Sequence, residues 1–470
     1  MSSKVISRRS FLRMSGLAAG LALLSACAPA APSGGQQGGQ APAGATSAAG
    51  EPKASGQQIT IQHWQSDWGK DWNDPMIKLS DAWTKDVAPN VKMQWTFMPS
   101  LSEKLAAAVA GGNPPDIATI DEGYGVPKMA AAGGLTNLKP YYDKDGIKGT
   151  DFIAFTWETC IYKSDPYGIP GGAGTVVLMY DKAVFKDAGI DPESIPDTPK
   201  WDDFVDWSAK LLKKDSNGKI TRIGVNPDSG SLTSHFQGIL GWQWYNADKT
   251  KLLINSDASV KALETWVSLL PPGVPYDDIS NMLAGAPTST YGSLGAGLQG
   301  IIWDGYWAFL ALDKYWPKMD YGMTKLPTPN GTKDEWKLYS GWVWDPTIPK
   351  GSKHPDEAWS FMKYGYWDHA YMLADTLNWT SCLKAFDEFE KRTIAIMGEN
   401  NREKPFLHHF AEVQYAAQTF QPWTPIYQKL NDTVNQAIDT VIRGQKKAKE
   451  ALDEAASTLQ PELDKALQQG

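Results

Sequence analysis

Residues Ile59-Thr60-Ile61-Gln62-His63-Trp64 alternate apolar with polar, and Val91 to Phe97 repeats the alternation, so each stretch predicts a half-buried strand. Between them, apolar residues recur at helical spacing from Pro75 to Val87. Ser100-Leu101-Ser102-Glu103 has the form of a capping box and opens an Ala-rich helix that stops at Gly111-Gly112. Ile117 to Ile120 is a short apolar run closing on Asp121-Glu122. This β-α-β-α-β order predicts a parallel sheet with helices on its faces. A second α/β pattern follows: strands at 175–180 and 220–225, helices at 201–213 and 256–270, and an apolar run at 300–303 closing on Asp304-Gly305. Residues 340–348 predict a return strand, 355–366 a helix, and 426–467 two amphipathic helices broken near Gly444. The expectation is a two-lobed α/β fold, each lobe a mainly parallel sheet flanked by helices. Ligands in such sheets bind beyond the carboxyl ends of the strands.

The first 57 residues break this patterning. Lys4, Arg8, Arg9 and Arg13 precede a short apolar run, and Leu24-Ser25-Ala26-Cys27 resembles a bacterial lipobox, so residues 1–26 read as a twin-arginine-like lipoprotein signal. Residues 27–57 are a lipidated Cys27 followed by a Pro-, Gly-, Ser- and Gln-rich tether with too little apolar bulk to fold. An exported protein on a lipid anchor is expected, at the outer face of the cytoplasmic membrane or within the periplasm. The 470-residue chain carries a net charge of −8, and the body beyond the four cations of the signal is more acidic still, which argues against nucleic acid as a partner. Three cysteines, with only Cys160 and Cys382 in the body, exclude a disulfide framework. The two are expected in different lobes and hence free.

No Gly-x-Ser-x-Gly, phosphate-loop, His-Glu-x-x-His or Cys-x-x-Cys pattern occurs, and the six histidines are scattered, so no catalytic group, metal or cofactor is expected. A glycosidase needs only two carboxylates, and a pair such as Glu122 and Asp304 keeps that alternative open. The unusual quantity is 21 Trp, more than the 18 Tyr or 14 Phe and more than a core ordinarily uses.

Several segments, in order, resemble family 1 of the bacterial extracellular solute-binding proteins, the maltose-binding-protein-like receptors of ABC importers. They are the helix and its exit from Leu105 to Ile117, Leu135 to Tyr141, Tyr167-Gly168-Ile169-Pro170, Leu178 to Gly189, Trp201 to Phe204, Gly300 to Trp307, and Ile348 to Pro355 with Ala358-Trp359. The resemblance implies two lobes, 58–173 with 328–372 and 174–327 with 373–470, holding the ligand in the cleft between them. It also implies a monomer that delivers its cargo to permease subunits and catalyses nothing. It places Asp304 and Trp307 at second-lobe contacts and puts Trp64, Asp121 and Glu122 at first-lobe strand ends. Trp342, Trp344 and Asp345 fall near the hinge. Asn378-Trp379 stands where the family has a different turn.

Of the four arginines outside the signal, Arg222, Arg392, Arg402 and Arg443, none falls in a cleft-facing motif, which disfavours an anionic ligand. Acids and flat indoles suit a neutral carbohydrate, for which an oligosaccharide is expected. The full expected contact set adds Trp68, Tyr124, Trp242, Trp244 and Trp303 to those named. A polyamine, caged by acids and aromatics, is the main non-sugar alternative.

Overall fold

Alternation and helical spacing resolve into elements close to those expected. The computed structural model describes residues 58–121, 125–174, 176–289, 291–305, 307–339, 342–376, 380–397, 417–419 and 424–469. The signal, Cys27 and the tether lie outside them.

Strand β1 (Ile59–Ser66) leads through Gly69 into helix α1 (Lys70–Asp86), then β2 (Val91–Met98), α2 (Leu101–Ala110) and β3 (Ile117–Ile120). Helix α1 begins five residues before the expected Pro75, because Asp67 accepts hydrogen bonds from the Gly69 amide at 2.9 Å and the Asn73 side chain at 2.8 Å and so turns the chain early. Ser100 does not cap α2 with its hydroxyl; it sits in the left-handed region at φ 54°. β4 (Ala173–Gly174) crosses toward the second half, where β5 (Val177–Asp181), α3 (Trp201–Leu211), α4 (Asp257–Val267), β6 (Ile301–Asp304), α5 (Ala308–Tyr315) and β7 (Tyr321–Thr324) follow. The chain then returns through β8 (Trp342–Val343) and β9 (Asp345–Thr347) to α6 (Pro355–Lys363) and α7 (Phe386–Met397), and ends in α8 (Tyr427–Ile442) and α9 (Ala448–Gln469). Gly444, at φ 70°, makes the break between the last two.

The first sheet has the order β9-β3-β1-β2, with β1 parallel to both β2 and β3 and β9 antiparallel to β3. Ile61, His63 and Gln65 are buried on one face of β1. Ile61 belongs to the same core as Met76, Leu79 and Trp83 of α1 and Phe361 of α6. Each such side chain, fully buried, contributes roughly 1.5–3 kcal/mol.

The second sheet has the order β6-β5-β7 and corrects the expectation of a mainly parallel lobe: β5 is antiparallel to both neighbours. β5 comes directly from the crossing segment, so it enters the sheet from the end opposite to the strands reached through helices. Ile220 to Arg222 pairs as a hairpin with Lys213–Lys214, and the amides of Gly300 and Ile301 bond to Ile223 and Gly224. The core here gathers Phe185, Trp201, Phe204, Phe236 and Trp266.

Residues 373–376 and 380–397 do not pack where the expected boundary at 372 put them. The 3₁₀ segment Ala370–Thr376 lies against α1 and carries α7 with it, and Phe152 bridges Cys382. Cys160 and Cys382 are free and buried, although both side with the first sheet. Among the described residues, no helix is long and apolar enough to cross a membrane.

Candidate ligand-binding cleft

Three indoles meet between the two sheets. Trp68 follows β1 directly, held by the Asp67 turn, and its Nε1 donates to Asp121 at the end of β3 over 3.3 Å. Trp344 sits between β8 and β9, with its amide bonded to the carbonyl of Gly172 on the crossing segment at 3.1 Å. Its ring stands edge-on to Trp68, centroids 5.9 Å apart at 76°, and edge-on to Trp307, 6.1 Å apart at 89°. Trp307 follows β6 and heads α5, so the row runs from the strand ends of the first sheet, over the return strand, to the second sheet.

Glycines make the close approach feasible. A Cβ on Gly174 would lie 2.7 Å from the Trp307 ring and 3.2 Å from that of Trp344, and one on Gly305 would also run into Trp307. The indole of Trp307 is further oriented by a hydrogen bond to Asp304. Asp304 accepts from the Tyr291 hydroxyl at 2.6 Å and from the Gly305 amide at 2.7 Å. Desolvation at this position pushes its carboxyl up to about 6, against the pull of those donors. Tyr291 holds φ 56°, a left-handed conformation uncommon outside glycine, while reaching that carboxylate.

Other expected contacts are placed differently. Trp303 turns into the second lobe, donating from Nε1 to Ser231 at 3.0 Å and packing its ring 5.1 Å from Phe236 and 5.7 Å from Trp266. Trp242 and Trp244 are core residues, buried and edge-on to each other at 5.6 Å, with the Trp244 indole bonded to Gln237; in this conformation they offer no face to a ligand. Asp345 is fully buried in β9 opposite Ile120 and accepts from Thr159 at 2.7 Å, since strand alternation sends it away from the side taken by Trp344. Its burial pushes the carboxyl up to about 7. Trp64 is half-buried on the face of β1 opposite Gln65, level with Thr96 and Ala118. β8 pairs Trp342 with Gly174. Glu122, Tyr124, Asn378 and Trp379 lie outside the described residues, so the two-carboxylate pair with Asp304 does too.

The arginines are engaged elsewhere. Arg222 pairs with Asp187 at 2.7 Å, Arg392 grips Asp375 with two nitrogens, and Arg443 bonds Asp439 at 2.7 Å and also Asp277, while Arg402 is outside the described residues. No group of three or more His, Cys, Asp or Glu among the described residues could hold a metal.

Sequence reading missed Gln65, which is wholly buried at the end of β1 beside Trp68 and Trp344. The signal was present, since a Gln stands where the strand's alternation calls for an inward apolar residue. Tyr291 was also missed, and no local pattern marks it.

Two α/β sheet layers joined by crossing strands, with an aromatic cleft between, define a bacterial solute-binding fold. The chain matches the model of the bacterial extracellular solute-binding proteins over residues 52–366 and belongs to that family, whose members are binding proteins of ABC importers and not enzymes. The diacetylchitobiose binding protein DasA of Streptomyces coelicolor is 26% identical over 324 residues, spanning 67% of this chain and 70% of that one. The arabinooligosaccharide-binding protein of Bacillus subtilis is 27% identical over 206 residues, 42% of this chain and 41% of that one. The sn-glycerol-3-phosphate-binding periplasmic protein UgpB of Escherichia coli K12 is 33% identical over a shorter 133 residues, 26% of this chain and 29% of that one. Among solved structures, CpMnBP1 with mannotriose bound superposes with a TM-score of 0.69 at 23% identity, covering 85% of this chain and 99% of that one. The sugar-binding protein MalE of Xanthomonas citri gives 0.65 at 17%, covering 87% and 98%.

Proposed function

We propose that this protein captures a neutral oligosaccharide in the inter-lobe cleft and delivers it to the permease of an ABC importer, as a monomer tethered through lipidated Cys27. The observation that carries the reading is the row Trp68, Trp344 and Trp307, in which indoles from both halves of the molecule converge. Indole faces pack on the C–H faces of pyranose rings, and Asp121 and Asp304 beside them accept hydroxyl hydrogen bonds. Those two acids are already satisfied in part by Trp68, Tyr291 and Gly305, which suits hydroxyl partners better than an ammonium cage. The commitment of three arginines to acids elsewhere speaks against an anionic cargo, although the partial likeness to a glycerol-3-phosphate receptor makes that cargo worth including in the test. The names of DasA, the arabinooligosaccharide-binding protein and the mannotriose complex support the carbohydrate class. The lobes we assign are 58–173 with 328–397, and 174–327 with the C-terminal helices.

The test is the thermal midpoint of residues 58–470 against mannotriose, diacetylchitobiose, arabino-oligosaccharides, spermidine and glycerol 3-phosphate. A ligand at 100 times its dissociation constant stabilises the folded state by about 2.7 kcal/mol. A rise with one of the saccharides, recovered uncleaved, is the expected outcome. A rise with spermidine or glycerol 3-phosphate alone removes the carbohydrate assignment, and a cleaved saccharide removes the receptor assignment.

A further inference from the structure

Behind the indole row lies a small cavity lined by Gln65, Trp68, Met76, Thr119, Trp344 and Tyr366, with a volume of about 10 Å³, room for a single water-sized group. Gln65 is wholly buried, and neither its Nε2 nor its Oε1 has a hydrogen-bond partner. Buried side-chain amides are nearly always paired, and an orphaned one costs the fold its desolvation. Its neighbours do not relieve it: Thr119 Oγ1 is held by His63 Nε2 at 2.7 Å, and Trp68 points its Nε1 at Asp121.

We propose that this cavity is a specificity pocket in which Gln65 holds one hydroxyl group of the bound carbohydrate, donating from Nε2 to the hydroxyl oxygen and accepting its proton at Oε1. The inference rests on the carbohydrate reading above and adds to it the group that enters and the residue that selects it. A hydroxyl both donates and accepts, as the amide requires, whereas an ammonium would leave Nε2 unpaired and a carboxylate would leave Oε1 unpaired. A volume of about 10 Å³ leaves no room for an acetamido group, so the substituent entering here is a bare hydroxyl. Trp68 and Trp344 line both the cavity and the indole row, which sets the pocket at the edge of a stacked sugar ring.

The test compares wild type and Gln65→Met, close in volume but without the amide, by thermal unfolding and by calorimetric titration with mannotriose, diacetylchitobiose and arabinotriose. The expected result is an unliganded midpoint equal to or above that of wild type, because an orphaned amide has gone, together with a dissociation constant raised at least tenfold for the saccharide wild type binds. Binding within twofold of wild type overturns the proposal, and so does a lower unliganded midpoint with unchanged affinity, which marks an amide that bridges structural water only. Should Q65M fail to fold, Gln65→Leu, which also lacks the amide, replaces it with the same two criteria. If wild type binds none of the three saccharides, the carbohydrate reading falls first and the pocket assignment with it.

Discussion

Trp307 is held by its surroundings in a way that a surface indole is not. Asp304 bonds its indole, Gly174 and Gly305 leave room only for a hydrogen beside its ring, and Trp344 stands against its edge. Trp307→Ala is therefore expected to weaken binding of the cognate saccharide at least tenfold by calorimetric titration; binding within twofold of wild type removes Trp307 from the site. Asp345 is a buried acid whose titration bears on stability. Its carboxyl lies near 7 in the folded chain against an ordinary value near 4, so between those values the folded state holds a proton that the unfolded state has released. Its contribution to stability is thus present in acid and lost as pH rises through about 7. Asp345→Asn lacks that loss, and its midpoint relative to wild type should climb between pH 4.5 and pH 7.5. A relative midpoint that is flat or falls over that range contradicts the buried, protonated acid. His63 and His235, each lowered to about 3 by burial, act in the opposite sense in both proteins and cancel from the difference.

At the scale of elements, α1 and α5 face each other across the two halves. Lys314 on α5 pairs with Asp71 on α1 at 2.6 Å, with both side chains about half exposed at 54% and 53%. A pair so hydrated contributes little and is screened by salt. A pair that bridges the two halves adds to ligand affinity to the extent that binding draws those halves together. Asp71→Asn should weaken saccharide binding by less than about fivefold at 20 mM salt and leave it unchanged at 0.5 M, where screening has already removed the pair. An equal loss at both salts would assign Asp71 a role other than this ion pair. The strands nearby show how far element patterns reach. The alternation of β1 was legible to within two residues, but the antiparallel entry of β5 was not, because strand direction depends on where the crossing segment delivers the chain.

For the whole molecule, the receptor reading depends on contacts between residues far apart in sequence. Trp344 meets Trp68 and Trp307 through rings separated by 276 and 37 positions, and the cavity at Gln65 closes only when the crossing segment and the return strand lie side by side. The excess of Trp announced aromatic chemistry, yet Trp242, Trp244 and Trp303 serve the core or its rim. Their local spacing is no different from that of the cleft indoles. What separates the two groups is whether a neighbouring element covers the ring, and no residue within one turn or strand of it carries that information. The strands and helices of the first sheet, the break at Gly444, the solute-binding resemblance and the absence of catalytic motifs were legible along the chain, because periodicity, glycine freedom and motif spacing are local properties. Which indoles share the cleft, that Ala370–Thr376 lies against α1, and that Gln65 faces a cavity with its amide unpaired follow only from tertiary packing. Burial and juxtaposition are set by the packing of distant segments, and packing is a property of the folded whole.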